Sequence, residues 1–331
     1  MGAGPEGSVV ARAGRRGREE EERMSSTVVN WGDMPTRVVD RGPFGVRWTN
    51  LGEAIGTRGT GARRMEIEPG RRSTPAHAHT AEEEIFYVLG GSGLSWQDGV
   101  TFAVSAGDCL VHLPLAEAHT LVAGDDGLDA LVFSNRRPVE ACRLPRAGVS
   151  WLGPTWVATG EDPNPWGREI AAGELECPLP SERPARIVAL ADVPAREGGR
   201  GDFQRTLRPV SRAAGSRDLG LNHVHVPEGK LSYPLHCHST EEEIFVVLEG
   251  HGTFMLGSDE HELRPGSVVC RPAASGVAHA VRGGAGGVTY LAFGDRNNAD
   301  MTWYPTSKKV AFSGLGVIGR LEPLEYYDGE V

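Results

Sequence analysis

The chain contains one stretch twice. Residues 70–93 (GRRSTPAHAHTAEEEIFYVLGGSG) lie over residues 229–252 (GKLSYPLHCHSTEEEIFVVLEGHG) without a gap, and 14 of the 24 positions are identical at an offset of 159. Short periods repeated many times signal solenoids, whereas a period this long, met twice, signals a duplicated domain. Gly107 and Gly266 keep the offset, after which the copies slip by one or two residues around Pro114 and Pro272. The 331 residues are about what two domains need.

Inside each copy the pattern is that of strands. Short apolar runs (IFYVL, CLVHL and LDALVF, then IFVVL, SVVC and VTYLAF) alternate with Gly, Asp, Pro and Ser. Their spacing, roughly 8 to 12 residues, is that of an antiparallel sandwich or barrel. The 45 glycines and 22 prolines supply the turns such a fold requires. The expected organisation has four parts. Residues 1–25 form a disordered N-terminal extension, rich in Gly, Arg and Glu, in which Met24 is a candidate natural start. Residues 26–140 form the first barrel and residues 201–331 the second. Between them, residues 141–200 are rich in Pro and Trp and are expected to wrap across the junction, with Trp151, Trp156 and Trp166 as packing residues.

Charge and cysteine usage exclude several classes. With 34 basic and 44 acidic residues the formal charge is -10, the wrong sign for a nucleic-acid or anionic-membrane partner. The five cysteines are odd in number and contain no CxxC pair, which argues against a disulfide framework or a zinc ribbon and for a reducing cytoplasm. The first residues lack the apolar segment of a signal peptide, and no later stretch has the length of a membrane span.

Chemistry is concentrated in the repeat. Copy one holds His77, His79 and Glu84, followed by His119, and copy two holds His236, His238 and Glu243, followed by His279. Histidines two apart share one face of a strand. A carboxylate five residues on can return to the same pocket across a turn, and a third histidine can come from another hairpin of a barrel. Three imidazoles and a carboxylate suit a divalent transition metal, up to two ions per chain, with Fe(II) or Mn(II) favoured and Zn, Ni, Co or Cu also accommodated.

The pattern G-x6-HxH-x4-E-x6-G, present from Gly70 to Gly91 and from Gly229 to Gly250, resembles the first motif of the cupin superfamily. Gly107, Pro114 and His119, and Gly266, Pro272 and His279, resemble its second motif, with Ala116 in place of a glycine and a longer turn in copy two. The resemblance implies an all-β bicupin, two tandem double-stranded β-helix (jelly-roll) barrels in one chain, with metal ligands His77, His79, Glu84 and His119 in one and His236, His238, Glu243 and His279 in the other. Within each EEE run the family spacing selects Glu84 and Glu243. The remaining carboxylates, Glu82, Glu83, Glu241 and Glu242, then read as a solvated turn. Alternation places Phe86 and Val88 beside the metal and Ile85, Tyr87 and Leu89 on the opposite face. A strand apolar on both faces implies that the exterior packs on the other barrel or on a second subunit of a homo-oligomer.

Function is left wider. Bicupins include oxalate decarboxylases, dioxygenases, isomerases and metal-free storage proteins. The retained glutamates count against the gentisate branch, and the Ser-Glu-Asn-Ser-type lid of oxalate decarboxylases is absent from this sequence. The leading expectation is a non-haem metal dioxygenase acting on a small aromatic or enolisable molecule. The alternatives are a redox-neutral isomerase, epimerase, cyclase or decarboxylase, and a non-catalytic, metal-stabilised binding protein. Candidate proton carriers are His112, with Cys270 in its place in copy two, and His225, which with His223 either lines the second cavity or sits outside it. One of the two centres could be purely structural.

Overall fold

The computed structural model describes residues 28–152, 155–158, 164–322, 324 and 326–330. The extension expected at residues 1–25 lies outside them. Among the described residues the architecture is two copies of one barrel, each made of an eight-stranded and a four-stranded antiparallel sheet. The larger sheet of the first barrel is centred on Glu84–Gln97, which pairs on one side with Asp108–His112 and along nearly its whole length with His119–Asn135. Thr60–Ile67, Phe44–Asn50 and Thr36–Arg41 continue that sheet outward. The second barrel repeats it with Glu243–Leu256, Ser267–Arg271, His279–Asp295, Leu219–Val226, Phe203–Arg208 and Arg196–Arg200.

The motif glycines create the bend that closes each barrel. Register shifts fall at Val88/Gly90 and Gly91/Gly93, and again at Val247/Glu249 and Gly250/Gly252. Gly91 has φ 75° and Gly250 φ 73°, and a Cβ on either would stand 2.2 Å from a carbonyl oxygen of the facing strand. Only glycine allows that approach, and the bulge it permits turns the strand around the core.

The chain crosses between barrels at two edges. Val29–Asn30 pairs with Ser267 and Val268 of the second barrel, and Ile187–Ala189 pairs with Asp108–Leu110 of the first. The sheets therefore do not follow the boundaries drawn from sequence. Of the described residues between 141 and 200, the N-terminal part serves the first barrel, whereas Val188, Leu190 and Val193 pack in the junction and Arg196–Arg200 joins the second barrel's sheet. Ala141–Leu144 pairs with Ala78–His79, and Val149–Leu152 and Thr155–Ala158 extend that sheet. The helix Pro165–Ala171, capped by the Asn164 side chain, sets Trp166 edge-on to Phe44 at 4.7 Å. At the C-terminal end, Lys309–Phe312 and Val317–Arg320 complete the small sheet of the second barrel. No described helix is long and apolar enough to cross a membrane.

One apolar cluster joins the barrels. Ile85, Tyr87 and Leu89 turn outward and meet Ile244, Val246 and Leu248 within it, and the Phe133 and Phe293 rings stack at 4.8 Å. Phe86 and Val88 point the other way, into the first barrel's own core. The EEE runs also cross the junction, which corrects the solvated-turn reading. Glu83 is 1% exposed and accepts hydrogen bonds from Ser216 Oγ and the Arg217 and Asp218 backbone N–H groups of the second barrel. Glu242, 6% exposed, accepts from the Arg58 and Thr60 N–H groups and from Thr60 Oγ1 of the first. Buried carboxylates need such partners, and here each barrel supplies them to the other.

Candidate metal centres and cavity

Each barrel gathers its four motif side chains. His77 and His79 flank the start of one small-sheet strand, Glu84 opens the central strand and His119 opens its long partner. Glu84 Oε2 lies 3.5 Å from His77 Nε2, 3.3 Å from His79 Nε2 and 3.0 Å from His119 Nε2. In the second barrel Glu243 Oε2 lies 3.5 Å from His238 Nε2 and 2.9 Å from His279 Nε2, with His236 grouped beside them.

The other ring nitrogens are directed outward. His77 Nδ1 is 3.0 Å from the Pro75 carbonyl and His79 Nδ1 is 3.0 Å from Glu140. His236 Nδ1 is 2.8 Å from the Pro234 carbonyl and His238 Nδ1 is 2.8 Å from Asp300. A proton held at Nδ1 leaves Nε2 as the donor to a metal, the arrangement that outer carboxylates and carbonyls enforce on ligating histidines. Inside, His79 Nε2, His279 Nε2 and Glu243 Oε2 are buried without a hydrogen bond. Donors left unpaired and crowded to about 3 Å, the edge of an octahedron with bonds of about 2.1 Å, fit a first-row divalent ion.

The electrostatics agree with that fit. Burial pushes His119 down to about 3 and His236 down to about 4, so both rings stay neutral as ligands must. At His79 burial is outweighed by Glu84 and Glu140, and its pKa is pushed up to about 10. Burial would raise Glu84 as well, but the charge of His79 and the adjoining imidazoles of His119 and His77 hold it well below the carboxylate range. A divalent ion in the cluster would take the place of the proton that Glu84 and Glu140 hold on His79.

Sequence reading missed Glu140 and Asp300. Both bind the second histidine of their HxH pair and also cap the loop after it, Glu140 at the Thr80, Ala81 and Glu82 N–H groups and Asp300 at those of Ser239, Thr240 and Glu241. They stand 160 residues apart, beyond the point where the copies slip. Cys142 was also missed. It pairs with His79 across the small sheet, and its thiol lies in a group with His77 and His79. Burial and the nearby carboxylates push its pKa up, which disfavours a thiolate there.

The two proposed proton carriers stand elsewhere. His112 faces Glu84 across the sheet, but its ring stacks flat on His119 at 3.7 Å and is held by Glu117, behind the ligands instead of on a cavity wall. Its counterpart facing Glu243 is Arg271, not Cys270. His223 and His225 share the strand parity of Leu219 and Leu221, which belong to the inter-barrel cluster, while Val224 and Val226 line the second barrel's interior. His225 is therefore outside, hydrogen-bonded to Thr289 Oγ1 at 3.0 Å.

The barrels differ in open space. The first holds a cavity of about 740 Å³ that reaches His77, His79, Glu84 and His119 between walls that include Trp48, Met65, Phe86, Val132 and Trp166. The matching recess of the second is about 270 Å³ and touches Glu243 but none of its three histidines. Register and offset give the reason. Thr74, Ser95, Ala130 and Leu144 of the first barrel correspond to Tyr233, Phe254, Tyr290 and Tyr304 of the second. Phe254 stacks on His279 and Tyr304 on His236, each at 5.8 Å. Aromatic rings fill the volume that the first barrel leaves open.

Comparison with known proteins agrees with this architecture. Residues 63–133 and 222–289 each match the cupin domain family. No curated protein sequence matches the chain. Among solved structures, a variant of Bacillus subtilis oxalate decarboxylase superposes with a TM-score of 0.56 at 16% identity, covering 85% of this chain and 84% of that one. A formate complex of Lactobacillus farciminis oxalate decarboxylase gives 0.55 at 16%, covering 82% and 86%. A third, a Bacillus subtilis oxalate decarboxylase described for its Mn(II) centres, gives 0.55 at 16%, covering 85% and 84%. At this identity the likeness is one of fold. Two family matches, two barrels and two three-histidine, one-glutamate motifs make the chain a bicupin of the cupin superfamily.

Proposed function

We propose that this bicupin is a divalent-metal enzyme of redox-neutral chemistry, a decarboxylase of an organic acid larger than oxalate, working in its first barrel. The observation that carries the reading is the contrast in access: among the described residues the first cluster opens on a cavity large enough for an organic substrate, and the second barrel's recess is about 270 Å³ and touches only Glu243 of its cluster. His77, His79, Glu84 and His119 would hold the ion, Mn(II) or another first-row metal. The likeness in fold to oxalate decarboxylases supports this chemistry over the oxygenase expected from sequence. Oxalate itself is disfavoured by the aromatic walls and the missing lid string.

Bound there, the metal supplies Lewis acidity to a substrate oxygen. The protein does the rest. Phe86 and Val132 exclude water from the reacting end, and Glu82, anchored through its N–H to Glu140 at 3.0 Å, presents a carboxyl on the same cavity. When the C–C bond to the carboxylate breaks and CO₂ leaves, the electron pair stays on carbon and takes a proton from Glu82. In the second barrel the ligands would hold a structural ion.

Two measurements test this. Mn(II)-loaded protein, offered 2-oxo, 3-oxo and aryl carboxylic acids under strict anaerobiosis, is expected to release CO₂ as fast as in air. Turnover that needs dioxygen would establish the oxygenase reading instead, and stoichiometric metal with no turnover of any acid would establish the binding protein. Glu140→Gln is expected to weaken metal binding in the first barrel about 10- to 100-fold in a chelator competition. A change below twofold would remove Glu140 from its positioning role.

A further inference from the structure

Among the described residues, one cation of the first barrel's cavity has no carboxylate partner. Arg63 lies on the interior parity of Thr60–Ile67, beside Met65, and its guanidinium rests over the Trp48 ring at 5.9 Å on the cavity wall. The side chain is exposed, and no described carboxylate pairs with it. The two other arginines of the same cavity are engaged. Arg136 Nε donates to the Thr60 carbonyl at 2.9 Å, and Arg137 pairs with Asp218 at 2.8 Å.

The second barrel lacks both members of this pair. By register Arg63 corresponds to Asn222, since these face Val132 and Ala292 across equivalent strands, and Trp48 corresponds to Leu207. The arginine and its aromatic support thus occur where there is a cavity and are missing where aromatics close it. A guanidinium set beside an aromatic ring keeps its N–H groups free, and their fork matches a carboxylate.

We infer that Arg63 is the specificity residue of the first barrel and that it anchors a carboxylate remote from the reacting end of the substrate. Resting on the reading of that barrel as the substrate site, this narrows the substrate to an acid with an apolar or aromatic body, one end at the metal cluster and a carboxylate at Arg63.

The experiment is calorimetry with 4-phenylbutyrate, its uncharged amide and its alcohol, on metal-free and on Mn(II)-loaded protein. The intact protein is expected to bind the acid about tenfold or more tightly than the amide in both forms. Arg63→Met should abolish that preference without changing affinity for the alcohol, and Arg63→Lys should restore part of it. A preference that survives Arg63→Met but vanishes on metal removal would put the carboxylate on the metal and overturn the inference. Absence of saturable binding, or equal binding of acid and amide, would overturn it too. Failure of the catalytic reading is separate, and would show as turnover that survives His77→Ala while the acid preference persists.

Discussion

His77→Ala is expected to remove one equivalent of divalent metal and to lower turnover at least about a thousandfold. His236→Ala should remove the same amount of metal and leave turnover within about threefold. The first figure follows from losing a Lewis acid worth several kcal/mol of transition-state stabilisation, each 1.36 kcal/mol being about tenfold in rate. The asymmetry follows from volume. The two donor sets match in residue type, but substrate is proposed to reach the first, because its four donors line the larger described cavity and the second barrel's recess touches only Glu243 of its cluster. The second variant should show its effect in stability, because an ion that binds the folded barrel and not the unfolded chain contributes to folding. Elemental analysis, CO₂ release and thermal unfolding on the two variants check all three statements. Loss of turnover in His236→Ala with turnover kept in His77→Ala would reverse the assignment of the barrels.

The sequence carried the repeat, the strands and the eight motif side chains because these obey local rules. HxH on a strand and a glutamate beyond a turn keep their spacing in both copies, and period-two alternation sorts Phe86 from Tyr87. What it hid depends on distant partners. Glu83 and Glu242 look like part of an acidic turn, since carboxylates are seldom buried, yet their donors lie 133 to 135 and 182 to 184 residues away. Glu140 and Asp300 fall after the copies slip, where a fixed offset of 159 no longer aligns them. Matching His112 to Cys270 was an error of one residue, and in a strand one residue reverses the face. The closing of the second barrel was hidden for another reason. The offset of 159 aligns Thr74 with Tyr233 and Ser95 with Phe254, but the paired strands are needed to set Ala130 against Tyr290 and Leu144 against Tyr304.

The same paired carboxylates yield the second large effect. Glu242→Ala is expected to destabilise the protein by about 3 kcal/mol, against about 0.5 kcal/mol or less for the exposed Glu260→Ala. Removing the carboxylate takes the acceptor from two backbone N–H groups and from the Thr60 hydroxyl, which is fully buried and cannot turn to water. Glu83→Ala should cost a similar amount through Ser216, Arg217 and Asp218. Because both residues fasten the same junction around Phe133 and Phe293, loosening one side weakens the geometry of the other, and the double variant should lose less than the sum. Urea unfolding monitored by intrinsic fluorescence reads all of this, and a junction that has come apart should split the transition in two. Full additivity would mean that the carboxylates act as independent caps. A loss below about 0.5 kcal/mol for each would mean that the apolar cluster alone holds the barrels together.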